Sequence, residues 1–111
     1  MEAAPLPQEI SVDDFARRRS GGETIALLDV RDPWEVEICR LPDSLDVPLA
    51  HLPERVDALP REGMLVILCH HGMRSQHAAR WLRAQGFANA VNLAGGIDAW
   101  ARLVDPSMRT Y

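Results

Sequence analysis

Two short stretches, Ile25-Ala26-Leu27-Leu28-Asp29-Val30 and Met64-Leu65-Val66-Ile67-Leu68, are apolar at nearly every position. A strand with one face in water alternates apolar and polar residues, whereas a strand covered on both faces does not. Such runs favour a parallel sheet with helices packed on either side, and the sequence between them supplies the helices. Ser11-Val12-Asp13-Asp14 reads as a helix start, with Ser11 as N-cap, acids in the first turn and Phe15 as a core anchor. Gly21-Gly22 ends it. Asp32-Pro33 opens a short helix, because Asp caps well and Pro suits the first helical position. Ser44 to Pro48 is a brief strand, and Leu52 to Leu59 is helical, with Leu52, Val56 and Leu59 on one side. Ser75 to Gln85 is the clearest helix, with Ala78, Ala79 and Leu82 spaced to face a core and Gly86 to stop it. Ala90 to Leu93 and Ile97 to Val104 add a last strand and a last helix. This alternation predicts an α/β fold with a mainly parallel sheet of about five strands and helices on both faces.

A chain of 111 residues is expected to form one domain over residues 1–111, with Asp105–Tyr111 as a candidate C-terminal tail. No apolar stretch approaches a membrane span. The first residues, MEAAPLPQEI, lack the basic and apolar regions of a secretory leader, so a cytoplasmic protein is expected. A formal charge of −4 argues against nucleic-acid binding. All 12 basic residues are arginine, which excludes Schiff-base chemistry on a lysine. The only cysteines are Cys39 and Cys69, and a core of this size needs no bridge, so two free thiols are expected.

Cys69 ends the most apolar strand and is followed by His70-His71-Gly72-Met73-Arg74-Ser75 at the start of the clearest helix. Functional sites in parallel sheets lie beyond the carboxyl ends of the strands. Unpaired amides at a helix N-terminus attract anions, and a thiolate is an anion. Thiols that ordinarily ionise near 8.5 are shifted to ~3.5–7.5 in such positions. Gly72 lets the backbone bend round the sulfur, and Arg74 offers a planar fork of donors for an oxyanion. The residues alone leave two alternatives open: an activated nucleophile, or the buried end of a strand.

The segment Cys69-His70-His71-Gly72-Met73-Arg74-Ser75 resembles the active-site loop of the rhodanese family, a cysteine, four residues, then arginine and serine or threonine. Leu27 to Glu35 resembles the family's early Asp-Val-Arg segment. Leu41-Pro42 with Val47-Pro48 resembles its second stretch, and Leu93-Ala94-Gly95-Gly96-Ile97-Asp98-Ala99-Trp100 its Gly-Gly-x-x-x-Trp signature. The resemblance implies a rhodanese-like fold and a sulfurtransferase. Cys69 would take a sulfane sulfur from thiosulfate or a persulfide, and His70, His71, Gly72, Met73, Arg74 and Ser75 would bind the substrate. The acceptor would be cyanide, a thiol or a sulfur-carrier protein. Related phosphatases have five loop residues where this chain has four, which favours sulfur over phosphate. Two rivals stay open: a sulfur-relay or interaction domain that works with a partner enzyme, and, less favoured, a phosphatase-like cysteine enzyme.

No cofactor is expected, and no metal: Cys-His-His in direct succession, even with His77, is poor spacing for tetrahedral zinc. The resemblance pairs Arg31 with Glu35 as a structural ion pair, with Asp29 orienting backbone. Trp34, Trp81 and Trp100 are expected in the packing. Cys39 and Asp43 depart from the family pattern. Asp43 stands where glycine is usual, so a different turn is expected there.

Overall fold

In the computed structural model, which describes residues 6–111, Met64–Leu68 is the central strand and all five of its residues are buried. In chain order the elements are β1 (Glu9–Ile10), α1 (Val12–Ser20), β2 (Ile25–Asp29), α2 (Pro33–Ile38) and β3 (Leu45–Asp46). They continue with α3 (Leu52–Arg55), β4 (Met64–Leu68), α4 (Met73–Ala84), β5 (Ala90–Leu93) and α5 (Gly96–Leu103). The five strands lie in the order β1-β5-β4-β2-β3, and every neighbouring pair is parallel.

The missing alternation in β4 has the expected cause. Met64, Val66 and Leu68 pack with Phe15, Val91 and Ile97 on one face, and Leu65 and Ile67 pack with Ala78, Ala79 and Leu82 on the other. Helices α1 and α5 thus cover one side and α3 and α4 the other. Each such buried Val, Leu, Ile, Phe or Met side chain contributes about 1.5–3 kcal/mol. Surface ion pairs such as Arg18–Asp14 and Arg102–Asp98 contribute at most about 1 kcal/mol each, so the two apolar layers dominate the fold's stability.

Local signals also hold. Ser11 Oγ accepts from Asp14 N–H at 3.1 Å, and Phe15 is fully buried. The expected helix at Leu52–Leu59 is instead one α-turn between two 3₁₀ turns, Leu49–His51 and Val56–Ala58. Leu59 is already extended there, as a residue before Pro60 should be. Asp43 adopts a left-handed φ of 65° in glycine's place, a conformation that Asp tolerates better than most residues. Trp100 packs on Phe15, whereas Trp34 is 59% exposed, against the expectation that it would be packed.

Asp105–Tyr111 has no helix or strand, yet it does not trail: Met108 and Tyr111 pack against the α1/α5 layer. The first five positions, read from the sequence as part of the single domain and as lacking a leader, lie outside the described residues. Among the described residues no helix is long and apolar enough to cross a membrane.

Candidate active site

Cys69 lies one residue past the end of β4, and the chain turns at once into α4. Gly72 makes the turn with φ 103°, where a Cβ would stand 3.1 Å from Gly95 N. The bend aims Gly72 N–H back at Cys69 Sγ, 3.1 Å away. Two loop carbonyls are drawn the other way. Ile97 N–H donates to Cys69 O at 2.9 Å, and Asp98 N–H donates to His70 O at 3.0 Å. The otherwise unpaired amides of α5's first turn therefore hold the loop's carbonyls aside. Gly96 must lack a side chain for this, since a Cβ there would collide with Cys69 O and lie 2.6 Å from His70 O.

The sulfur is deep. Cys69 is 1% exposed and touches the α4-side apolar layer, while its Sγ meets polar groups. Ser75, fully buried, places Oγ 3.3 Å from that sulfur and 2.6 Å from Asn92 Oδ1. Asn92 Nδ2 donates to Gly72 O at 3.2 Å and to Glu9 at 2.8 Å.

Arg74 does not hold its fork open. Its two terminal nitrogens donate to both oxygens of Glu35, at 2.7 and 2.8 Å. That pairing, opposed by burial, holds the Glu35 carboxyl down at about 2, helped by the Asp32 N–H and the Tyr111 hydroxyl. The same pairing keeps Arg74 firmly charged, with a smaller contribution from Cys69. The Arg31–Glu35 ion pair implied by the resemblance is not formed between side chains. Arg31 turns back onto Asp29 at 2.7 Å and reaches only the backbone carbonyl of Glu35. Burial opposes Arg31's charge, but Asp29 and Tyr111 more than offset it. Asp29 also accepts from Arg31 N–H, the backbone-orienting role expected of it.

The rim is aromatic. His70 lies between Tyr111 and His71, each ring centre 3.9 Å away, and Tyr111 meets Trp34 edge-on. Burial, and then the neighbouring His71, lowers the His70 pKa. His71 and Met73 point largely to solvent, at 64% side-chain and 71% residue exposure respectively. Of the expected site residues, Cys69, Gly72 and Ser75 meet at the sulfur, His70 and His71 lie in the aromatic rim, Met73 is exposed at the start of α4, and Arg74 is bound to Glu35. His77 lies apart, beside Leu49, Leu52 and Trp81. His70, His71 and Asp98 bring ligand atoms within 4.8 Å of one another, the one such cluster among the described residues. Cys39 is half-buried, with Sγ 3.9 Å from Arg31, and both cysteines are free.

Glu35, Asn92 and Tyr111 were not marked as site residues by the sequence. A signal for Asn92 was present, since a polar residue inside an otherwise apolar strand must find buried partners. Glu35 and Tyr111 carry no comparable local mark.

A family model for the Rhodanese-like domain matches residues 11–103. A "Sulfurtransferase" of Allochromatium vinosum is 37% identical over 97 residues, covering 87% of this chain and 91% of that protein. The maize (Zea mays) "Adenylyltransferase and sulfurtransferase MOCS3-2" is also 37% identical, covering 96% of this chain but only 24% of that protein. A solved structure described as reduced Bacillus anthracis CoADR-RHD superposes with a TM-score of 0.80 at 28% identity, covering 94% of this chain and 18% of that one. The chain thus spans nearly all of one relative and about a quarter or less of the other two.

Proposed function

This chain belongs to the rhodanese-like domain family, and on that premise we propose that it is a single-domain sulfurtransferase with Cys69 as its nucleophile. The observation that carries the reading is the Gly72 N–H aimed at Cys69 Sγ from 3.1 Å, with the loop's carbonyls held away by α5. An amide so placed stabilises negative charge on sulfur without reorganising. The Cys69 thiolate attacks the outer sulfur of the donor. The donor's sulfur–sulfur bond breaks, and the electron pair leaves with sulfite when the donor is thiosulfate or with the donor's thiolate when it is a persulfide. The resulting Cys69 persulfide is attacked at its outer sulfur by a thiolate or cyanide, and Cys69 is regenerated as thiolate. The cycle is redox-neutral and uses no cofactor or metal.

The donor is better matched by a persulfide than by thiosulfate. Arg74 is engaged with Glu35, and the chain has no lysine, so a dianion meets little free positive charge at the loop. This favours a relay in which sulfur arrives from one partner and leaves to another. The match to about a quarter of a maize protein named for two activities supports that arrangement.

Intact mass tests the chemistry. Incubation with a persulfide donor or thiosulfate is expected to add one sulfur atom, which cyanide removes, and Cys69→Ser is expected to gain nothing. A Cys69→Ser variant that still carries sulfur or turns over would overturn the reading, as would ready hydrolysis of an aryl phosphate by the natural sequence.

A further inference from the structure

Asn92 is 2% exposed and sits at the back of the loop, in β5. Its Nδ2 donates to the Glu9 carboxylate at 2.8 Å and to Gly72 O at 3.2 Å. Both partners can only accept, so the amide's NH₂ end is fixed towards them and Oδ1 must face Ser75. Ser75 Oγ lies 2.6 Å from that oxygen and 3.3 Å from Cys69 Sγ. A hydroxyl has one proton, and Oδ1 has none to give. The short contact therefore holds the Ser75 proton, and Ser75 turns a lone pair towards the sulfur. A lone pair suits an S–H group, not an ionised sulfur.

We propose that Asn92 is a positioning residue that keeps the Ser75 proton away from Cys69 and so holds the resting sulfur as a thiol. A hydroxyl beside a reactive sulfur would by itself donate to the thiolate, and Asn92 reverses that. When the sulfur ionises, its proton leaves to solvent, the Ser75 hydroxyl swings to Sγ, and Asn92 Oδ1 loses its donor. Other groups around the sulfur act in both directions. The Gly72 amide and the Arg74 charge favour the thiolate, while Glu35, paired with Arg74, and Glu9, behind Asn92, oppose it. From α5, Asp98 faces His71 at 3.8 Å, and His70 is shifted towards its neutral form. The inference deepens the sulfur-transfer reading by naming what controls its nucleophile, and it rests on that reading only for this consequence.

The test is the pH profile of iodoacetamide alkylation at Cys69 in the full chain, followed by peptide mass so that Cys39 is counted separately. Asn92→Ala frees the Ser75 proton and is expected to speed alkylation about tenfold near neutral pH, the usual gap between a charged and a neutral hydrogen bond. The two profiles should converge where the sulfur is fully ionised. In a Ser75→Ala background the same substitution is expected to change the rate by less than about twofold. An unchanged or slower Asn92→Ala, or an increase that persists without Ser75, overturns the proposal. Neutron diffraction on the unsubstituted protein gives a reading that no variant's folding can cloud. A Ser75 deuteron on the line to Asn92 Oδ1 supports it, and one on the line to Sγ overturns it. Neither measurement depends on sulfur transfer, so this proposal and the proposed function fail separately.

Discussion

Glu35 accepts hydrogen bonds from Arg74, from the Asp32 N–H and from the Tyr111 hydroxyl, and it lies in the first turn of α2. Its carboxyl is lowered from an ordinary 4.5 to about 2, first by Arg74. A depressed carboxylate stabilises the fold above its unfolded-state value, and that stability is lost as the pH falls through the folded-state value. The contribution is therefore complete above about 4.5 and drains away towards about 2. Glu35→Gln is expected to destabilise the protein by about 2 kcal/mol at pH 7, between the values for exposed and buried pairs. In urea unfolding this deficit should shrink below pH 4.5, and a deficit that stays constant down to about 2 would count against the pairing. The pair joins residues 39 positions apart, which explains why local sequence did not reveal it. Arg74 was visible as a charge beside Cys69, but only the folded chain shows that its fork is already occupied.

At the scale of elements, the loop's shape depends on α5 as much as on α4. Gly96 has φ 61°, and a Cβ there would strike the carbonyls of Cys69 and His70. Gly22 also has a positive φ, 82°, but a Cβ there would meet nothing within 4 Å. Gly22→Ala is therefore expected to destabilise by about 1 kcal/mol, the left-handed penalty alone. Gly96→Ala is expected to destabilise by more than about 3 kcal/mol and to pull the loop from its dock. Thermal unfolding of the two variants checks this, and equal losses would sink the docking argument. Apolar runs made β2 and β4 legible, β5 was legible as the short, mostly apolar stretch Ala90–Leu93, and α4 was legible from its periodicity, although it begins at Met73, two residues before Ser75. The two-residue β1 was not, because Glu9–Ile10 is too short to show a period. Its place comes from β5, whose Asn92 N–H donates to Gln8 O and whose neighbour Ala94 N–H donates to Ile10 O. The Gly95-Gly96 pair was visible as a motif, but its task of holding loop carbonyls aside becomes visible only in three dimensions.

Across the whole molecule, Tyr111 joins the far end of the described chain to the loop, 41 positions away from His70, whose ring it covers. Its hydroxyl accepts from Arg31 and donates to Glu35, and burial raises its own pKa to about 12. Burial is the main cause of the lowered His70 pKa, and the opposing Tyr111 backbone contact is one that alanine keeps, so Tyr111→Ala is expected to move the His70 titration up towards its ordinary range. NMR of the ring protons across pH measures this, and a value that stays put or falls would contradict the cover. Among the described residues, the hydrogen-bond contacts of Cys69 Sγ are with Ser75 Oγ and one main-chain amide, and none is with a side chain of residues 70, 71 or 73. On the proposed sulfur-transfer reading, such a design would separate chemistry from recognition: evolution could repaint the rim for new visitors while the sulfur keeps the same seat.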